Sequence, residues 1–133
     1  MNRRQVLAAI LAVPAFAALA GPAWSGSRLP FDAAAFSEAQ AIGAPILIDI
    51  AADWCPTCRA QKPIIDSLLA APGNETLLVF EVDFDRQADV VRAFGARSQS
   101  TLIAYRGKVE TGRSIGDTRP NSIAALIQSA VAP

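Results

Sequence analysis

A short apolar run rich in β-branched residues, Ile46 to Ala51, leads into Trp54-Cys55-Pro56-Thr57-Cys58, and this junction limits the chain's folding options more than any other segment. The run is short, apolar and bounded by turn signals, which predicts a strand buried on both faces. Beyond the cysteines, Ile64, Ile65, Leu68 and Leu69 recur at the spacing of one helix face, so a helix is expected over Arg59 to Leu69. The cysteine pair therefore sits where a buried strand hands over to a helix. Cys55 and Cys58 are the chain's only thiols. A crosslink between them closes too short a loop to restrict the unfolded chain much, so a reversible dithiol suits them better than a structural staple.

The remaining pattern extends this unit. Phe31 and Phe36 flank Asp32 as a hydrophobic staple flanks an N-cap, which predicts a first helix over about 33 to 42, ended by Gly43 to Pro45. Pro63 falls inside the second helix and should kink it. Leu77 to Asp83 is expected to be a second buried strand. Asp85 is expected to cap a helix over about 86 to 95, with Val90, Val91 and Phe94 on its core face. Thr101 to Tyr105 and Val109 to Ser114 flank Arg106-Gly107-Lys108 as a tight hairpin, and a last amphipathic helix begins near Thr118 to Pro120. Ser25 to Pro30 is taken as a polar joint ahead of the patterned sequence. The order predicts an α/β fold with a parallel crossover followed by an antiparallel hairpin in one mixed sheet, covered by helices on both faces.

Composition excludes several functions. The 133 residues contain no histidine, which removes Ser-His-Asp and Cys-His catalysis and any histidine-ligated metal. A formal charge of zero offers no nucleic-acid footprint. Residues 1–25 have the pattern of an export signal: Asn2-Arg3-Arg4-Gln5 is the charged start, Val6 to Ala20 is apolar, and small residues near 18 to 23 suit cleavage. The adjacent arginines resemble a twin-arginine leader, with an ordinary secretory leader as the alternative. Either route predicts a periplasmic, soluble domain over residues 26–133.

Strand, Trp-Cys-x-x-Cys and helix in this order resemble the thioredoxin family, and the resemblance runs over residues 31 to 131. Asp49 stands six residues before Cys55, where the family keeps a buried carboxylate, and Pro63 stands at its helix-kinking proline. Phe94-Gly95-Ala96-Arg97, Thr101 and Gly116 match further family positions. The resemblance implies a three-layer fold with about four central strands. The stretch Ala52-Asp53-Trp54-Cys55 is also similar to the periplasmic thioredoxin-like domain of bacterial transmembrane electron transporters, which implies reduction of protein disulfides with a membrane carrier as electron donor. A monomer without cofactor or metal is expected.

The junction assigns roles within that chemistry. Cys55, at a helix start, feels the macrodipole and unpaired N–H groups and should be the nucleophilic thiolate; Pro56 suits the first helical position. Cys58 is expected one turn deeper, more buried and less acidic. By resemblance, Asp49 accepts the Cys58 proton, directly or through water, and local hydrogen bonding is its alternative role. Trp54, Pro56, Thr57, Ser100 and Thr101 are the expected substrate contacts. Thr57 replaces a family proline, which leaves the redox potential open.

Two departures stand out. Ser100 occupies the position of the family's cis-proline, so a trans Gln99-Ser100 bond and a hydroxyl facing Cys55 are expected, with consequences for partner choice. Glu81 stands where a lysine is common; it either raises the apparent pKa of a pair with Asp49 or points to solvent. Three alternatives remain open on sequence. They are an oxidase, a carrier that uses the two sulfurs as soft ligands for a metal or iron–sulfur unit, and a thioredoxin-like binding module without activity.

Overall fold

The structure is a computed structural model that describes residues 26–133. The proposed leader, residues 1–25, lies outside the described residues. The chain runs β1 (Ser27–Pro30), α1 (Ala33–Ala41), β2 (Pro45–Ala51), α2 (Pro56–Leu69), β3 (Leu78–Asp83), α3 (Ala88–Ala93), β4 (Thr101–Arg106), β5 (Val109–Ile115) and α4 (Pro120–Val131). The strands form one mixed sheet in the order β1-β3-β2-β4-β5. β1, β3 and β2 are parallel, whereas β4 is antiparallel to β2 and β5 to β4. The expected crossover and hairpin are both present.

The sheet has five strands where about four were expected. The addition is β1, inside the segment taken as a joint. Ser27, Leu29 and Pro30 are exposed, so this strand shows neither a buried run nor an apolar alternation. An edge strand also tolerates Pro30, because one side of its backbone needs no donors. Its register is fixed by β3, with Arg28 opposite Val79 and Pro30 opposite Glu81.

Period-two alternation divides the buried strands between two cores. Leu47, Val79 and Leu102 face α2 and α4, where they meet Ile65, Ile123 and Ile127. Ile46, Ile48, Ile50, Phe80 and Ile103 face the opposite way, toward Ala39 of α1 and Val91 of α3. Phe31, Phe36, Phe94 and Tyr105 extend this second core in tilted and edge-to-face pairs 5.4–6.3 Å apart. Asp32 is the N-cap of α1, its carboxylate accepting from the Ala35 N–H at 2.8 Å. In the hairpin, Gly107 has a φ of +56°, and a Cβ there would lie 3.1 Å from the Gly43 Cα. Close backbone approach as well as turn geometry favours glycine at this point.

α3 is shorter than expected and Asp85 does not cap it. Its N-cap is Gln87, with no side-chain cap bond. Asp83 Oδ1 accepts from the N–H groups of Asp85 and Arg86 at 3.0 and 2.9 Å, while Gln87 Oε1 accepts from the Asp83 N–H. These local bonds hold residues 83–87 in a turn that competes with helix. The Asp85 carboxylate is turned instead to Trp54.

Candidate functional site

α2 begins earlier than its apolar spacing indicates, and the cysteines explain why. Cys55 is the N-cap and Pro56 opens the helix, so the first turn is set by capping rather than by core contacts. Cys55 Sγ accepts from the Cys58 N–H at 3.1 Å. The nucleophile position thus holds one of the orphan donors of a helix start. Cys55 and Cys58 are joined as a disulfide, with Cα atoms 5.3 Å apart.

The two cysteines, taken as whole residues, do not follow the expected order of burial. Cys55 is 2% exposed and Cys58 is 7% exposed. Ala52 packs with both cysteines and the Ser100 hydroxyl lies against both sulfurs, but Cys58 also lies on the wall of a cleft of about 280 Å³. Asp49 lines the same cleft, so solvent can connect this carboxylate with the Cys58 side of the disulfide.

Ser100 is the most constrained residue here. The described residues contain no cis peptide bond, and Ser100 is their one non-glycine residue with positive φ, at 64°. Its hydroxyl lies 3.1 Å from Cys55 Sγ and 3.2 Å from Cys58 Sγ. Its N–H donates to the Ile50 carbonyl at 2.8 Å, and its carbonyl accepts from the Gly116 N–H at 2.9 Å. Gln61 Nε2 approaches that carbonyl at 3.4 Å and donates to the Asp117 carbonyl at 2.8 Å.

Asp49 is buried at 4% exposure beneath this assembly. Burial raises its pKa above the ordinary carboxylate value, opposed by a hydrogen bond and charge pairing with Arg28. Arg28 reaches in from β1: its Nη1 lies 2.9 Å from Asp49 Oδ2 and 3.1 Å from Glu81 Oε2. Its Nε donates to Asp66 Oδ1 of α2 at 3.0 Å. Burial works against the Arg28 charge, but bonding and pairing with Asp49 and Asp66 outweigh it, and the net direction of its pKa is upward. Glu81, directly opposite Asp49 in the β2–β3 register, shares this guanidinium and adds a smaller upward push on Asp49. Of the two alternatives for Glu81, the structure favours the pair with Asp49: the side chain is partly exposed but turns to the shared Arg28.

The other expected contacts divide between surface and interior. Trp54 is 55% exposed, and its Nε1 donates to Asp85 at 2.7 Å. Pro56 is exposed and Thr57 half-buried beside it. Thr101 is 1% exposed, and its hydroxyl donates to the Ser98 carbonyl at 2.7 Å, so its side chain shapes the loop and does not line the surface.

Sequence reasoning missed Arg28, Gln61 and Asp85 as parts of the site. Gln61 left a signal: with Cys58, Ile65 and Leu69 it falls on the buried face of α2, where a polar residue needs a reason. Arg28 left none, since its partners come from strands and a helix 21 to 53 residues away. Among the described residues, no group of three or more Cys, Asp or Glu stands close enough together to hold a metal ion, and no helix is long and apolar enough to cross a membrane.

The comparisons agree with this geometry. The thioredoxin family profile matches residues 29–129. The crystal structure of Trxlp from Edwardsiella tarda is 44% identical and superposes with a TM-score of 0.74, covering 76% of this chain and 98% of that one. Thioredoxin of Chlamydia muridarum is 32% identical over 92 residues, 69% of this chain and 87% of its own. The Aspergillus fumigatus thioredoxin Asp f 29 is 26% identical over 102 residues, 76% of this chain and 92% of its own.

Proposed function

Because the chain belongs to the thioredoxin family and is a thiol-disulfide oxidoreductase, we propose that it works outside the cytoplasm as a reductase of protein disulfides. The observation that carries this reading is Cys55 Sγ, held as an N-cap acceptor within a disulfide to Cys58. A sulfur in that position is stabilised as a thiolate once the bond is reduced.

The reaction follows in two displacements. Cys55 thiolate attacks one sulfur of a substrate disulfide, a Cys55–substrate bond forms, and the other substrate sulfur leaves as a thiolate that takes a proton from solvent. Cys58 then loses its proton and attacks Cys55 Sγ, expelling the second substrate thiolate. The substrate gains two electrons and two protons, and the protein ends as the Cys55–Cys58 disulfide. Asp49 is the acceptor for the Cys58 proton: it is buried, its pKa is raised, and it shares a solvent-open cleft with Cys58. Trp54, Pro56 and Thr57 supply the surface on which a substrate chain rests, and Trp54 is fixed there by Asp85.

Direction and location rest on the sequence. The export pattern of residues 1–25 supports the periplasm, where a reductase must be recharged from across the membrane, so a membrane dithiol carrier is the electron donor. The resemblance to the periplasmic domain of transmembrane electron transporters supports the same direction. Reduction of insulin disulfides by the wild type, lost in Cys55→Ser, tests the activity. Recovery of the mature protein from a periplasmic extract, with its cysteines reduced in cells, tests place and direction. Absence of insulin reduction by the wild type refutes the enzyme reading.

A further inference from the structure

We propose that the Ser100 hydroxyl is a catalytic residue of the exchange, a hydrogen-bond donor shared between the two sulfurs that turns toward whichever one carries the negative charge. The proposal rests on the dithiol chemistry above and adds a group to it. Its basis is geometric: Ser100 Oγ lies almost equidistant from both sulfurs, at 3.1 and 3.2 Å, and contacts to sulfur of this length are within hydrogen-bond range. A hydroxyl has a single proton and a freely rotating O–H bond, so rotation about Cβ–Oγ redirects the donor without moving the backbone.

The backbone of Ser100 supports the same assignment. A φ of 64° is unfavourable for a residue with a Cβ, and such conformations persist where the surroundings over-determine them. Here the N–H is held by Ile50 and the carbonyl by Gly116 and Gln61, so three separate segments hold one side chain over the sulfurs. Glycine would adopt this conformation without strain, but it would leave the sulfurs with no hydroxyl.

During exchange the donor has work at both ends. In the reduced protein it adds to the Cys58 N–H as a second donor on the Cys55 thiolate, lowering its proton affinity. When an external thiolate opens the disulfide at Cys55, Cys58 leaves as a thiolate in a buried position, and the same hydroxyl stabilises that leaving group. No proton leaves Ser100 in either step. Arg59, Lys62, Asp49, Asp53, Glu81 and Asp83 line the cleft on the Cys58 side, and they are present in every variant below, which isolates the hydroxyl.

The test is the pH dependence of Cys55 alkylation by iodoacetamide in the reduced full chain, with the modified cysteine identified by peptide mass, for wild type, Ser100→Ala, Ser100→Gly and Ser100→Thr. Loss of one hydrogen bond to a charged group corresponds to a rise of about one pH unit in the Cys55 thiolate pKa for the alanine and glycine variants. Threonine retains the hydroxyl and should titrate below alanine and glycine, with the strain of a β-branched residue at this φ read as lost fold stability rather than as a raised thiolate pKa. Because the thiolate loses stability, the disulfide of the alanine and glycine variants should be favoured about tenfold more in glutathione equilibria near neutral pH. Alanine and glycine variants that titrate with the wild type overturn the proposal. So does a shift in alanine absent from glycine, since that pattern assigns the effect to backbone strain. Titration needs no turnover, so a wild type that fails to reduce insulin would refute the functional reading without deciding this measurement.

Discussion

Arg28→Met tests the electrostatic design of the site, because it removes a cation from a buried carboxylate while keeping an apolar stem of similar reach. Arg28 Nη1 and Asp49 Oδ2 are 2.9 Å apart, with side-chain exposures of 17% and 6%. Removing one partner of a buried pair typically costs about 3–5 kcal/mol. The guanidinium is also divided among Glu81 and Asp66, whose side chains are 43% and 47% exposed and contribute little as surface pairs. The lower end, about 3 kcal/mol, is therefore expected near pH 8, together with a further upward displacement of the Asp49 pKa. The sign is fixed by linkage. Arg28 stabilises only the ionised form of Asp49, so its contribution is present at alkaline pH and fades as Asp49 takes a proton. Urea denaturation should show a large deficit near pH 8 that shrinks toward about pH 4. The acid limb of insulin reduction should move to higher pH in parallel. Arg28→Lys should retain most of both properties, and Glu81→Lys added to Arg28→Met should recover part of them, because residue 81 faces Asp49 across the strand pair. A deficit of equal size at both pH values, with an unmoved activity profile, would refute the reasoning and leave Arg28 a packing residue.

Asp49→Asn should be more stable than wild type near neutral pH, because the folded pKa of Asp49 is raised mainly by burial. That raised value means the wild type loses stability as pH rises through it, so the advantage should vanish below the ordinary carboxylate range, as urea titrations at several pH values can check. The same variant should slow the second displacement by about tenfold or more in single-turnover reduction while sparing the first. Asp85→Ala frees the Trp54 indole N–H, so a changed Trp fluorescence and a higher KM for protein disulfides with little change in kcat are expected.

Elements with a dense local pattern were legible in the sequence. The apolar run of β2, the α2 face and the Asp32 cap all declare themselves within a few residues, and β2 and α1 appear close to their expected bounds, whereas α2 starts three residues earlier, at Pro56. β1 was not legible, because an exposed edge strand of four residues has no periodicity to detect. α3 lost its expected first turn to contacts that helical periodicity does not encode: Asp83 holds the N–H groups of Asp85 and Arg86, and the Asp85 carboxylate turns to Trp54. In the site, the sulfurs follow from their own spacing, and Asp49 and Ser100 from family resemblance. Arg28 depends on three partners from separate elements, which no local pattern encodes. The burial order of the cysteines follows the cleft that opens beside Cys58, whose walls come from β2, β3 and α2 and leave no local pattern.

The central claim is that Cys55 attacks and Cys58 resolves. The most direct measurement is to express Cys58→Ser as the full 133-residue chain and resolve the protein from cells by non-reducing electrophoresis, with Cys55→Ser as the matched control. Dithiothreitol-sensitive adducts are expected on Cys58→Ser, joined through Cys55 to partner cysteines, and none on Cys55→Ser. Adducts on Cys55→Ser through Cys58, or none on either variant while wild-type insulin reduction persists, would contradict that claim.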